Sequence, residues 1–285
     1  MNNPRLGIPL MIATTFVFAM QDGLSRYLAA EYNVVTVLMI RYWFFALFVI
    51  ALSAARKGGI RRVAHTTQPV LQILRGVLLV AEIGVTVLSF VLLGLIGTHA
   101  IFTAYPLMIA ALSGPVLGER VGWRRWLAIC VGFTGILIIL RPGFAVFSPA
   151  ALVPLLAALL FAIYGLLTRF VARKDSAETS FFYTGVAGAV AVTLVGPFFW
   201  DPMQGNDWWL MAALALSGAF GHFLLIKTYE VAEASTVQPF AYFQLVFVSF
   251  IGLLVFNETL DLWTVTGAAL IVGAGLFTFW RERRA

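Results

Sequence analysis

Phe161-Ala162-Ile163-Tyr164-Gly165-Leu166-Leu167-Thr168-Arg169-Phe170 repeats, without a gap, the pattern of Phe18-Ala19-Met20-Gln21-Asp22-Gly23-Leu24-Ser25-Arg26-Tyr27. Phe, Ala, Leu and Arg recur at identical places, a hydroxyl meets a hydroxyl (Ser25, Thr168), and an aromatic ring closes each stretch (Tyr27, Phe170). Residue 161 answers residue 18 in a chain of 285, so the sequence reads as one unit written twice, 1–145 and 146–285. A second pair agrees: Gly118-Glu119-Arg120-Val121 and Asn257-Glu258-Thr259-Leu260 lie 139 residues apart, each between two long apolar runs. Such a unit is too long for a solenoid repeat and too apolar for a soluble fold.

Composition places the chain in a bilayer. Hydrophobic residues make up 61% of it and charged ones 11%, with a mean hydropathy of +0.94; a soluble domain carries roughly 25% charge. The longest polar interruption, Arg56 to Thr67, leaves no room for a soluble catalytic domain. The net charge of +6 sits in short clusters between apolar runs, which fits orientation on an anionic membrane face and speaks against a nucleic-acid partner. The single cysteine, Cys130, has no partner for an internal disulfide. The first apolar run carries Asp22 and no small-residue cleavage site follows, so it reads as a retained span.

A crossing helix needs about 20 apolar residues. On that ruler the chain holds ten, near 7–29, 34–55, 68–92, 97–117, 123–140, 149–168, 178–199, 208–228, 234–256 and 261–280, five in each half. None alternates as a barrel strand would, and backbone groups in lipid must be paired, so the expected class is all-α integral membrane. Lysine and arginine set the orientation. With the N-terminus in the cytoplasm, most of the 19 basic residues fall on that side, in clusters such as Arg56-Lys57, Arg61-Arg62, Arg124-Arg125 and Arg173-Lys174; only Arg26 and Arg141 fall outside, while Arg41 and Arg75 lie within spans. Both termini are therefore expected in the cytoplasm. Five spans per half puts the halves in opposite orientations, the inverted repeat of secondary transporters, whose substrate site lies between repeats near the midplane.

Two five-span halves, an aromatic-rich fourth span ending Leu117-Gly118-Glu119, spaced glycines in the fifth (Gly132, Gly135), the Arg41-Tyr42 pair and Pro106 together resemble the drug/metabolite transporter superfamily, in its ten-helix EamA-like branch. The second half repeats the pattern as Asn257-Glu258 with Gly267, Gly273 and Gly275, although Asn257 stands where Gly is usual and no proline matches Pro106 at the ungapped offset. The resemblance covers essentially the whole chain and implies a multi-pass inner-membrane carrier, most like bacterial aromatic amino-acid exporters.

Candidate site residues follow from faces and depth. His99 and Thr103 share a helical face in the fourth span, and the ninth answers at offset 139 with Gln238 and Tyr242. Gln21 and its copy Tyr164 add polar groups from the first and sixth spans. Lining of one cavity explains the symmetric placement; interhelical hydrogen bonds, worth about 0.6 to 2 kcal/mol each, are the plainer reading. Glu82 lies mid-span, about 20 Å from Gln68 at 1.5 Å per residue, and His222 falls within one residue of its equivalent. A titratable pair for substrate ammonium or a coupling proton, and a protonated Glu82 bonded to a neighbouring helix, both fit. Asp22 and Arg41 lie at similar depth toward the outer side and Arg26 shares a helix face with Asp22, as a structural ion pair or an external gate. Arg75 and Lys227 read as snorkelling cations. Glu119 and Glu258 sit at span ends, where capping suffices.

Ala128 and Gly132, with Ala269 and Gly273, have the small-xxx-small spacing that packs the halves together or forms a homodimer contact. Trp43, Trp123, Trp126, Trp208, Trp209, Trp263 and Trp280 fall toward span ends, as an interfacial belt requires. The function expected is secondary transport of a small metabolite by alternating access, foremost export of aromatic or neutral amino acids. A facilitative channel, or a translocase for lipid or another metabolite, is the alternative. No His-Glu-x-x-His occurs and the three histidines are isolated, so the reading calls for no enzyme activity, no metal and no cofactor.

Overall fold

The computed structural model describes residues 3–118, 122–140 and 149–282. Glu119, Arg120, Arg141, Arg283, Arg284 and the 145/146 junction lie outside the described residues, as do the side chains of Arg124, Arg125 and Arg281. Among the described residues the regular elements are all helical: α1 Pro4–Glu31, α2 Val34–Ala54, α3 Gly59–Val63, α4 Pro69–Phe102, α5 Tyr105–Leu117, α6 Trp123–Leu140, α7 Leu152–Val171, α8 Ala177–Val195, α9 Asp207–Val231, α10 Ala234–Ala241, α11 Phe243–Val255 and α12 Leu262–Glu282. Among the described residues seven stretches are long and apolar enough to cross a membrane, and Tyr105–Leu117, Trp126–Leu140 and Leu262–Ala274 are shorter apolar helices.

The helix ends follow local chemistry. Asn33 caps α2 by accepting from the Val35 N–H (2.9 Å), and Ser176 caps α8 through the Thr179 N–H (3.2 Å). Two expected spans are not continuous. The fourth begins inside α4, which breaks at Gly94, where φ is 75° and ψ 177°. Only glycine enters that region without strain. The leg beyond the break exposes fresh N–H groups, and Glu258 takes those of Leu95 (2.8 Å) and Ile96 (2.7 Å) while pairing with Arg26. Glu258 is thus a helix cap contributed from far along the chain. A second interruption separates α4 from α5, because Pro106 has no N–H to continue the ladder; Ala104 donates to Ile101 O instead (3.0 Å). The ninth span is likewise split between α10 and α11, where Leu245 donates to Tyr242 O (3.1 Å).

Helices pack as α1 against α9, α4 against α7, α2 against α8 and α6 against α12. The last pair approaches through glycine: a Cβ on Gly267 would lie 2.5 Å from the Gly135 carbonyl oxygen. Gly132 instead faces Leu107, and nothing lies near the Cβ position of Gly273. The close contact within the chain is therefore made at Gly135 and Gly267, three residues beyond Gly132 and two before Ala269. Between α1 and α2, the turn is tied to the segment before α9: Tyr32 Oη donates to Asp207 (2.5 Å) and accepts from the Gln204 N–H (3.0 Å), and Asn33 N–H donates to Asp201 (3.1 Å). The tryptophans of the expected belt are all well exposed on the outside of the bundle.

Candidate functional site

A small cavity of about 30 Å³ lies among α1, α2, α4, α7, α9 and α11. Its polar wall is Gln21, Asp22 and Ser25 of α1, Arg41 of α2, Glu82, Thr86 and His99 of α4, His222 of α9 and Gln244 of α11. Its apolar wall includes Phe18, Phe102 and Phe161. Phe18 and Phe161 occupy matched positions of the repeated stretch and meet edge to face, with ring centroids 6.4 Å apart. That match was the sequence signal that could have found them; position was read there only for the polar members.

The charges are arranged in a short chain. Arg41, only 3% exposed, donates through Nη2 to Gln21 Oε1 (2.8 Å). Among the described residues no carboxylate lies within 4.0 Å of its nitrogens. Asp22 accepts from Gln244 Nε2 (2.9 Å) and faces His99 Nε2 at 3.1 Å. His99 is stacked on Phe90 with centroids 5.6 Å apart, which holds its edge toward Asp22. Glu82 accepts from the Thr86 hydroxyl one turn on (2.6 Å), and no cation among the described residues comes within ion-pair distance. His222 lies between Phe18 (4.9 Å) and Tyr164 (6.2 Å), and neither ring nitrogen has a hydrogen-bond partner among the described residues. Buried polar groups with open bonding capacity are costly unless something else completes them. An anion beside Arg41 and a cation beside Glu82 would do so.

Of the eight residues expected in the cavity, Gln21, Glu82, His99 and His222 line it. The other four do not. The Thr103 hydroxyl is spent on its own helix, donating to His99 O, and Gln238 donates to Tyr229 Oη (2.8 Å) beside α7. Tyr242 is buried elsewhere, its hydroxyl without a partner among the described residues. Tyr164 belongs to a neighbouring cluster. The grouping of Asp22, Arg26 and Arg41 also changes: Asp22 and Arg41 are cavity residues that bond to glutamines, and Arg26 pairs with Glu258 under the Phe256 ring (4.3 Å). Sequence depth placed Asp22 and Arg41 at one level, and helical spacing put Arg26 on the face of Asp22, but neither said which way each side chain turns.

Arg75 is the largest departure. It is fully buried and does not snorkel. Its guanidinium reaches Gln72 Oε1 (3.0 Å), Tyr164 Oη (3.2 Å), Thr168 Oγ1 (3.2 Å) and the Ser180 carbonyl, joining α4 to α7 and α8. Gln72 in turn donates to Asp175 (2.7 Å). The matched positions Gln21 and Tyr164 thus each hold an arginine of the first half, Arg41 and Arg75. Lys227 is half-buried and paired with Glu230 at 2.7 Å.

Comparison with known proteins adds the family. The EamA-like transporter family matches residues 5–141 and again 148–280. An S-adenosylmethionine uptake transporter of Rickettsia prowazekii is 27% identical over 279 residues, 98% of this chain and 94% of its own. A riboflavin transporter of Vibrio cholerae is 29% identical over 300 residues, covering 100% and 96%. A pseudopaline exporter of Pseudomonas aeruginosa is 26% identical over 273 residues, covering 95% and 94%. A solved crystal structure shares the fold with a TM-score of 0.69 at 18% identity, over 98% of this chain and 96% of that one.

Proposed function

Because the chain belongs to the EamA-like transporter family, a multi-pass transporter of small metabolites in the bacterial inner membrane, we propose that its cargo is headed by an α-amino acid and carries an aromatic or heteroaromatic body. Aromatic amino acids and S-adenosylmethionine both have this form. The observation that carries the reading is the placing of Arg41 and Glu82, each without an ionic partner among the described residues, around one cavity walled by Phe18, Phe102 and Phe161. Arg41 offers a planar fork to the carboxylate. Glu82 takes the ammonium, with Thr86 holding its carboxylate in place. The phenylalanines take the ring of the body by stacking or edge contact. His222, with both nitrogens open, hydrogen-bonds the polar edge of a heteroaromatic ring.

The transport mechanism is alternating access between two inverted five-helix halves, 1–145 and 146–285, with both termini cytoplasmic. Reciprocal packing of α1 on α9 and of α7 on α4 supports this, since each pairs the first helix of one half with the third of the other. Arg41, bonded to Gln21, then lines the cavity, while Arg75, bonded to the matched Tyr164, braces the neighbouring cluster. Net direction in such a carrier is set by the gradients, so export and uptake use one site.

Proteoliposomes loaded with unlabelled substrate test the reading by counterflow of labelled S-adenosylmethionine, tryptophan and riboflavin. Saturable exchange of S-adenosylmethionine or tryptophan is expected. Non-saturable flux would make the protein a channel, and exchange of riboflavin alone would refute the amino-acid head.

A further inference from the structure

A second, larger hollow lies between α2, α8 and α9, separate from the polar cavity. Its volume is about 390 Å³, and it is walled by Phe48, Leu52, Phe181, Leu216, Phe220 and Phe223. The polar residues it meets are few: Ser53, whose hydroxyl donates to Val49 O (2.6 Å), and the ion pair Arg56–Glu178 (3.5 Å) at its mouth. Nothing here would orient a zwitterion. The short helix α3 closes the same end with Val63 and carries Arg61 and Arg62 on its exposed side, next to exposed Lys57. Arg56 lines the mouth beside Glu178, and the exposed Lys57, Arg61 and Arg62 follow it in the chain, with Arg62 donating to Lys57 O (2.9 Å). From Phe223 to Leu216 the wall runs about 10 Å along α9 at 1.5 Å per residue, a large part of one leaflet of the hydrocarbon core, itself about 15 Å.

We propose that this groove binds an anionic phospholipid, with one acyl chain laid between α8 and α9 and its phosphate held by the Arg56–Arg62 cluster. An apolar hollow open to the bilayer fills with chain, and the basic rim selects the headgroup by charge. A second copy of the protein is a poorer occupant. A two-fold contact would bring this cluster onto its own image at the same depth, like charge facing like charge.

The test uses the full chain in lipid nanodiscs with a phosphatidylglycerol that carries a photoreactive diazirine near the end of one acyl chain. Crosslinked peptides are mapped by mass spectrometry. Labelling should concentrate on Phe181, Leu216 and Phe220, and unlabelled phosphatidylglycerol should compete far better than phosphatidylcholine. Leu216→Trp, at a 63% exposed position, fills the groove and should abolish the label. The double variant Arg61→Gln with Arg62→Gln leaves the groove intact but should lower the preference for the anionic lipid about fivefold per charge. Both alter exposed positions and should keep the parent elution profile and cargo exchange. Labelling spread evenly over the lipid-facing helices, equal labelling by a phosphatidylcholine probe, or chain-to-chain crosslinks at these residues in place of lipid would each overturn the assignment.

Discussion

Replacing Glu82 by glutamine separates charge from shape. The side chain keeps its size, and its amide oxygen can still accept from the Thr86 hydroxyl that now lies 2.6 Å from the carboxylate. No cation among the described residues sits within ion-pair distance, so the substitution strands no partner in the empty protein. The loss therefore falls on the bound state. A hydrogen bond to a charged group contributes about 1.5–3 kcal/mol, and its removal should weaken binding of an amino-acid-headed cargo about tenfold to 150-fold. Equilibrium binding of labelled S-adenosylmethionine or tryptophan to purified protein measures this, beside the same cargo lacking its amino group. Glu82→Gln should bind the des-amino analogue as the parent does, and the thermal unfolding midpoint should stay close to the parent's. An unchanged affinity for the amino compound, or an equal fall for both compounds, would show that Glu82 does not hold the ammonium.

Arg75→Lys keeps the charge but loses the fork that spans Tyr164, Thr168 and Ser180; about 2–4 kcal/mol of stability should go with it, read as a fall of several degrees in the unfolding midpoint, and an unchanged midpoint would refute the brace. Gly267→Ala would bring its Cβ to 2.5 Å from the Gly135 carbonyl and should cost about 1–3 kcal/mol by forcing α6 from α12; a variant as stable as the parent would show that the two helices can separate freely. Glu258→Ala uncaps the leg of α4 beyond Gly94 and leaves Arg26 unpaired, so hydrogen exchange at Leu95 and Ile96 should quicken while the amides of α8 stay protected. Tyr32, at the end of α1, has its hydroxyl held above the usual value of 10.0, first by its hydrogen bond to Asp207. Its contribution is complete below pH 10 and fades as pH rises through the raised value, so Tyr32→Phe should lose stability at neutral pH and match the parent in strong alkali.

Much of the architecture was legible because it rests on short-range physics. Transfer of apolar residues into hydrocarbon and the need to pair backbone groups act residue by residue, so hydropathy alone marked the bilayer, the helical class and nearly every helix. Repetition of Phe18–Tyr27 at Phe161–Phe170 likewise needed only the letters, and it already contained Phe18, Gln21, Asp22, Ser25 and Phe161 of the cavity wall. Glu82 and His222 stood out because polar groups at mid-span are expensive wherever they point.

Direction and partnership were decided elsewhere. His99 and Thr103 share a face by period, yet one lines the cavity and the other bonds its own backbone, since a hydroxyl can satisfy itself on its helix and an imidazole cannot. Arg75 looked close enough to the edge to snorkel; four acceptors brought by α4, α7 and α8 hold it inside. Arg26 found Glu258 rather than Asp22, because the break at Gly94 creates a helix N-terminus that draws a carboxylate from a distant loop. The sequence by itself determined which segments are apolar enough to enter a membrane and which side chains would be costly there. Tertiary packing decided what each of those side chains faces, because a buried polar group takes its partner from whichever helix the fold brings within about 3 Å.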